Sequence, residues 1–192
     1  MVNSIAEKIV SYAVSIGSIK EEQHEEYLYG LNLILNAFIT DVTLIVIGCV
    51  MDMLWETLLF WLVYRVLRKY CGGFHFSTSL RCYLSTCIMC PVVLLIIRYI
   101  PYFELWQNGA VVLSVIILFL MSPVEAANKP LDEDERRVFR KVSIILLIVI
   151  SLIYFAMIIC GFTYVAKITA LSVIWVAVFA VIGKLFLVAD KK

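Results

Sequence analysis

The chain has 192 residues, of which 63% are hydrophobic and 16% charged, with a mean hydropathy of +0.98 and a formal net charge of +1. Soluble domains run at roughly 45–50% apolar and 25% charged, and a chain this short could not bury so much apolar surface in one water-facing core. A soluble enzyme and a disordered tail are thereby excluded, and the near-neutral charge leaves no basic surplus for nucleic acid. The remaining class is a polytopic membrane protein: all-α, one domain over residues 1–192.

In chain order, Ile5, Ile9, Ala13 and Ile16 recur at helical spacing, with Asn3, Glu7, Ser11 and Ser15 between them. The pattern predicts an N-terminal amphipathic helix over 1–20 lying in the membrane interface. It lacks the basic segment and cleavage site of a signal peptide. A crossing helix needs about 20 apolar residues, which predicts six spans near 28–48, 50–67, 82–100, 105–122, 142–161 and 168–187. Pro91 should kink the third. Tyr27, Tyr29, Tyr99, Tyr102, Trp106 and Tyr164 suit interfacial belts. With both termini inside, fourteen of the sixteen basic residues are cytoplasmic and only Arg98 and Lys167 fall outside, as the positive-inside bias requires.

The polar chemistry gathers in the two longer cytoplasmic loops, RVLRKYCGGFHFSTSLRC (65–82) and SPVEAANKPLDEDERRVFRK (122–141). In the first, Cys82 and His75 are the minimum for a thiolate nucleophile with its general base. Seven residues of continuous helix would hold them roughly 10.5 Å apart, so the chain between them must turn. Ser77-Thr78-Ser79 supplies the break, with Ser79 as helix cap. Cys82 would then be the third residue of the helix, with Arg81 beside it, and both influences favour the thiolate. Gly72-Gly73 permits positive φ or close backbone approach, and Arg68 could bind acidic substrate groups or fix the loop.

The spacing R-x4-G-x-H-x6-C, formed by Arg68, Gly73, His75 and Cys82, resembles the signature of the accessory gene regulator B (AgrB) family, quorum-sensing membrane peptidases. YGLN at 29–32 and SPVEAANKPLD at 122–132 are similar to two further family segments. Asn32 stands where the family often carries Glu or Gln, and an amide can orient an imidazole. The resemblance implies a bacterial plasma-membrane cysteine endopeptidase. It would remove the C-terminal tail of an AgrD-type pro-peptide, and its thioester would be captured by the substrate's own Cys or Ser to close a thiolactone or lactone. It implies a homodimer, catalytic roles for His75, Cys82 and Asn32, and substrate binding by Arg68, Gly73 and Lys129.

No cofactor or metal is expected. Cys87 and Cys90 are formally C-x-x-C, but they lie in an apolar span with no second pair, where cysteines pack as small hydrophobes. Cys71 is a second candidate thiol that lacks the helix-start setting. The DEDERRVFRK segment (132–141) sets acids ahead of bases at a helix start, and its bases suit the anionic lipids of the inner leaflet or, with Lys129, could receive the acidic tail of the pro-peptide. Asp41 and Glu56 are acids within spans, which suggests either polar contacts between helices or, in an alternative reading, a small transporter. His24, in EEQHEE, is expected in a solvated face or turn.

Overall fold

A backbone surrounded by lipid must satisfy its N–H and C=O groups within its own segment, and each long apolar run here becomes one helix. The computed structural model describes residues 2–74, 78–102, 104–125 and 132–189; His75 and Lys129 lie outside them. Among the described residues are α1 (Val2–Ser15), α2 (His24–Val50), α3 (Leu54–Cys71), α4 (Ser79–Tyr99), α5 (Glu104–Met121), α6 (Glu133–Ile159) and α7 (Thr163–Ala189), with a 3-10 turn at Glu21–Gln23 before α2.

Five of these helices, α2, α4, α5, α6 and α7, are long and apolar enough to cross a membrane, consistent with a multi-pass membrane protein. The remaining expected span, the second at 50–67, corresponds to α3, which has 18 residues and carries Glu56, Arg65, Arg68 and Lys69. It also starts later than the hydropathy suggests, because Met51–Met53 form the turn after α2, with Met53 N–H donating to Gly48 O at 2.8 Å. α6 begins nine residues before its expected apolar start at 142, because Asp132 caps it by accepting from Glu135 N–H at 2.6 Å. Pro91 lies inside α4, which continues through it.

α7 is the centre of the bundle and packs on α3, α5 and α6. Ala166, Ala170, Ala177, Ala180 and Gly183 are buried along it, and small side chains let neighbouring helices approach closely. Ser172 Oγ donates across to Phe60 O on α3 at 3.2 Å. The core continues through Leu67, Cys90, Val93 and Leu118, from three other helices. Ile34, Phe38, Leu62, Ile88, Leu120 and Leu152 stay exposed and form an apolar exterior suited to lipid.

α1 packs against α2, but not through the stripe read from the sequence. Ala6 and Val10 are buried whereas Ile5, Ile9 and Ile16 are exposed, because the smaller pair permits the closer approach. His24 opens α2, with Nε2 3.5 Å from a Glu7 carboxylate oxygen on α1. A cleft of about 530 Å³ opens between the two helices, beside Val10, Ala13, Gly30 and Ile34.

The two basic residues assigned to the outside lie together. Arg98 Nη2 donates to Met51 O at 2.6 Å, and Lys167 Nζ donates to Ile97 O at 2.7 Å and to Ile100 O. Lys167 thus serves carbonyls that α4 leaves free at its C-terminus. Arg68, Arg136 and Arg140 lie at the opposite end of the bundle, around the connections that follow α3 and α5.

Candidate active site

α3 ends because Gly72 turns the chain at φ +74, its N–H donating to Arg68 O at 3.1 Å. Gly73 follows at φ +131, and the chain meets the segment after α5: Val124 N–H donates to Cys71 O at 2.9 Å and Gly73 N–H to Val124 O at 3.2 Å. The two cytoplasmic loops of the sequence reading are therefore joined by backbone hydrogen bonds. Phe74 N–H donates to Phe179 O on α7 at 2.9 Å.

Arg68 closes this turn on itself. Its Nη1 donates to Gly72 O at 3.0 Å, its Nη2 donates to Phe74 O, and its guanidinium lies over the Phe179 ring, 4.9 Å from the centroid. Where the sequence suggests acidic substrate groups, or a carboxylate fixing the loop, as its partners, Arg68 here holds the loop's own carbonyls. A Cβ on Gly73 would collide with Arg68 Nη1, and one on Gly183 would sit 2.5 Å from Phe74 N. Both glycines are there for space.

Cys82 is half-buried in the first turns of α4. The helix cap is Thr78 rather than Ser79: Thr78 Oγ1 accepts from Arg81 N–H at 3.4 Å, which makes Cys82 the fourth helical residue. Its N–H is already bonded to Thr78 O at 3.2 Å, so the thiol sits just beyond the free amides of the helix start. The cation facing it also differs. Arg81 is exposed, whereas the Arg68 guanidinium and the Tyr64 hydroxyl lie within electrostatic range of the Cys82 thiol. Adjacent residues on a helix diverge by about 100°, so sequence adjacency to Arg81 does not become contact. Cys71 is fully buried beneath the turn.

Asn32 lies on α2. Gly48 approaches Thr57, and Asp41 accepts from Trp61 Nε1 at 2.8 Å and Arg65 Nη1 at 2.5 Å. That antiparallel register, continued down α2 and α3, brings Asn32 to the height of Gly72 and Gly73. Asn32 Oδ1 is buried and has no hydrogen-bond partner among the described residues.

The two intramembrane acids are both engaged between helices: Asp41 as above, and Glu56 by accepting from Tyr164 OH at 2.7 Å. Part of the basic cluster after α5 braces its own connection. Arg136 pairs with Glu125, and Arg140 donates to Ser122 O with its guanidinium 5.4 Å from the centre of the Phe119 ring. Among the described residues no group of three or more His, Cys, Asp or Glu could hold a metal ion.

Sequence reasoning missed Tyr64, Phe179, Gly183 and Val124. Tyr64 left a signal, being a hydroxyl one turn before Arg68 in an apolar run. The others are brought in by chain 50 to 115 residues away, which local periodicity does not register.

A half-buried thiol and an arginine-held glycine turn, gathered where helices of membrane-crossing length end, mark a multi-pass membrane protein with its polar groups collected at one end of the bundle. Residues 2–181 match the family described as Accessory gene regulator B, and the chain belongs to that family. It is similar to an AgrB-like protein 2 of Clostridium perfringens strain 13, 27% identical over 144 residues, covering 71% of this chain and 67% of that protein. The accessory gene regulator protein B of Staphylococcus saprophyticus is 25% identical over 140 residues, covering 71% of this chain and 74% of its own length. An AgrB-like protein of Listeria innocua is 27% identical over 136 residues, with 69% and 66% covered. The match thus spans about two thirds of the Clostridium and Listeria proteins. No solved structure matches the chain.

Proposed function

We propose that this protein is a membrane-embedded cysteine endopeptidase that matures an AgrD-type pro-peptide. The Cys82 thiolate attacks the scissile carbonyl, His75 takes the thiol proton and returns it to the departing amine of the tail, and a thioester is left on Cys82. A Cys or Ser of the substrate then adds to that carbonyl and releases the Cys82 thiolate, closing the ring. Thioester exchange with a thiol is nearly balanced in free energy, so cyclisation competes well where water is kept away.

The observation that carries this reading is the Arg68 clamp. It holds the carbonyls of Gly72 and Phe74, the residues leading into His75, while the same guanidinium faces Cys82. Arg68 and Gly73 then position the loop. Asn32, with its unpartnered Oδ1 at that height, accepts from the imidazole and sets its tautomer. Lys129 receives the acidic tail.

In this reading α2 to α7 all cross the membrane, with both termini and the Arg68–Cys82 loop cytoplasmic. The separation of Arg98 and Lys167 from the arginines at the other end supports that orientation. An 18-residue α3 is about 27 Å long, close to the bilayer's apolar thickness. The family resemblance further implies a homodimer.

The test is co-expression with the cysteine-bearing, acid-tailed peptide of a short reading frame beside the gene. Cys82→Ala should abolish cleavage and leave membrane insertion unchanged. Iodoacetamide should label Cys82 ahead of Cys71 near neutral pH, and His75→Ala should slow that labelling. Equal labelling with and without His75 overturns the pairing. Asn32→Ala should lose cleavage, with partial rescue by Asn32→Gln or Asn32→Asp.

A further inference from the structure

A peptide brought to a thiol inside a membrane helix has amide groups that no water serves, and each unsatisfied one is strongly unfavourable there. The face of α2 turned towards α4 answers that need. Asn32, Asn36, Thr40 and Thr43 fall within one arc of the helix, at spacings of four, four and three, and all are half-buried. Thr43 Oγ1 lies 3.0 Å from the hydroxyl of Tyr83, the residue after Cys82, which sets this arc beside α4.

Apart from Thr43, which meets Tyr83, the hydrogen bonds these side chains make are within α2. Asn36 Nδ2 donates to Asn32 O at 2.7 Å, Thr40 Oγ1 to Asn36 O at 2.8 Å, and Thr43 Oγ1 to Ile39 O at 2.8 Å. The Asn36 and Thr40 donors are thus directed into their own helix and their oxygens remain available as acceptors, whereas Thr43 Oγ1 accepts from the Tyr83 hydroxyl. Successive members of the 32, 36, 40 row rise about 6 Å along α2, close to the roughly 6.8 Å repeat of alternate residues in an extended chain. The arc carries no charged residue.

We infer that the face of α2 bearing Asn36 and Thr40, between Asn32 and Thr43, is a substrate-binding rail. It accepts hydrogen bonds from every second backbone N–H of an extended, uncharged stretch of the pro-peptide adjoining the scissile bond. The inference rests on the peptidase reading and names where that peptidase holds its substrate.

The experiment uses the full chain in lipid nanodiscs and the synthetic peptide of the adjacent reading frame. The Asn36→Leu/Thr40→Val double variant should raise KM about tenfold or more with kcat changed less than threefold, and Asn36→Gln/Thr40→Ser should restore most of the loss. Should the double variant fail to fold, single N-methylation along the peptide, read with the wild-type protein, decides the matter. Penalties in KM at alternate residues support the rail, whereas a uniform penalty or none overturns it. An unchanged KM in a folded double variant, with Cys82→Ala inactive, overturns the rail and leaves the peptidase reading standing. Cleavage that survives Cys82→Ala, or no cleavage by the wild type, overturns both.

Discussion

Arg68 and the glycines around it define a space in which single atoms matter. A methyl group at Gly73 meets Arg68 Nη1, at a φ of +131 that side chains adopt only with strain of about 1–3 kcal/mol. Gly73→Ala should therefore reduce cleavage by about a hundredfold, the order expected when reacting groups are displaced by about 1 Å. Gly183→Ala should act the same way from α7, through Phe74 N at 2.5 Å. Gly109→Ala, which meets open space within α5, should leave cleavage unchanged and raise stability by about 0.4–1 kcal/mol. Kinetics and thermal unfolding of the three proteins check this series. Arg68→Lys should also lose most cleavage, because one ammonium cannot bridge two carbonyls and stack on Phe179 together. Full activity in that variant would reduce Arg68 to an anchor at the membrane surface. The grouping of Arg68, Gly73 and Cys82 is legible as a spacing in the sequence, whereas the groups that Arg68 holds are not. A carbonyl belongs to every residue, so composition gives no sign of which ones a guanidinium will choose.

At the scale of elements, α5 and α7 are readable from hydropathy because each holds an apolar run of membrane-crossing length. The boundaries that moved did so for polar reasons: Asp132 starts α6 early, and Thr78 caps α4 one residue before Ser79. That single residue takes Cys82 off the free amides of the helix start and leaves Arg68 as its facing cation. The acids of α2 and α3 are also explained at this scale. Asp41→Ala should lower stability by about 0.6–1.7 kcal/mol, the range for polar contacts between membrane helices. Glu56→Gln should be close to neutral, since an amide oxygen still accepts from Tyr164 OH. Detergent-induced unfolding measures both. If these variants instead abolish a solute flux across proteoliposomes at unchanged stability, the acids serve transport.

At the scale of the whole molecule, α3 packs most on α7, and on α2 and α6 alike, so not only on its neighbours in sequence. The Gly73–Val124 and Phe74–Phe179 hydrogen bonds belong to the same long-range arrangement. Local patterns predict which residues share a helix face and say nothing of which helices meet, which is why this layer was not legible. The arrangement also bears on how the protein is made. α3 carries four charged side chains, and α6 and α7, two of the helices it packs on, are synthesised after it. At about 5–20 residues per second, the ribosome reaches α7 roughly 5–20 s after finishing α3. During that interval α3 must wait beside the insertion machinery or slide back towards water. A nascent chain ending after Met121 should accordingly leave α3 outside the lipid: a Leu62→Cys probe, shielded by lipid in the full chain, becomes reactive to maleimide in the truncated one. Assembly of the thiol site is then the last event of synthesis, so an unfinished chain carries its cysteine without the means to use it.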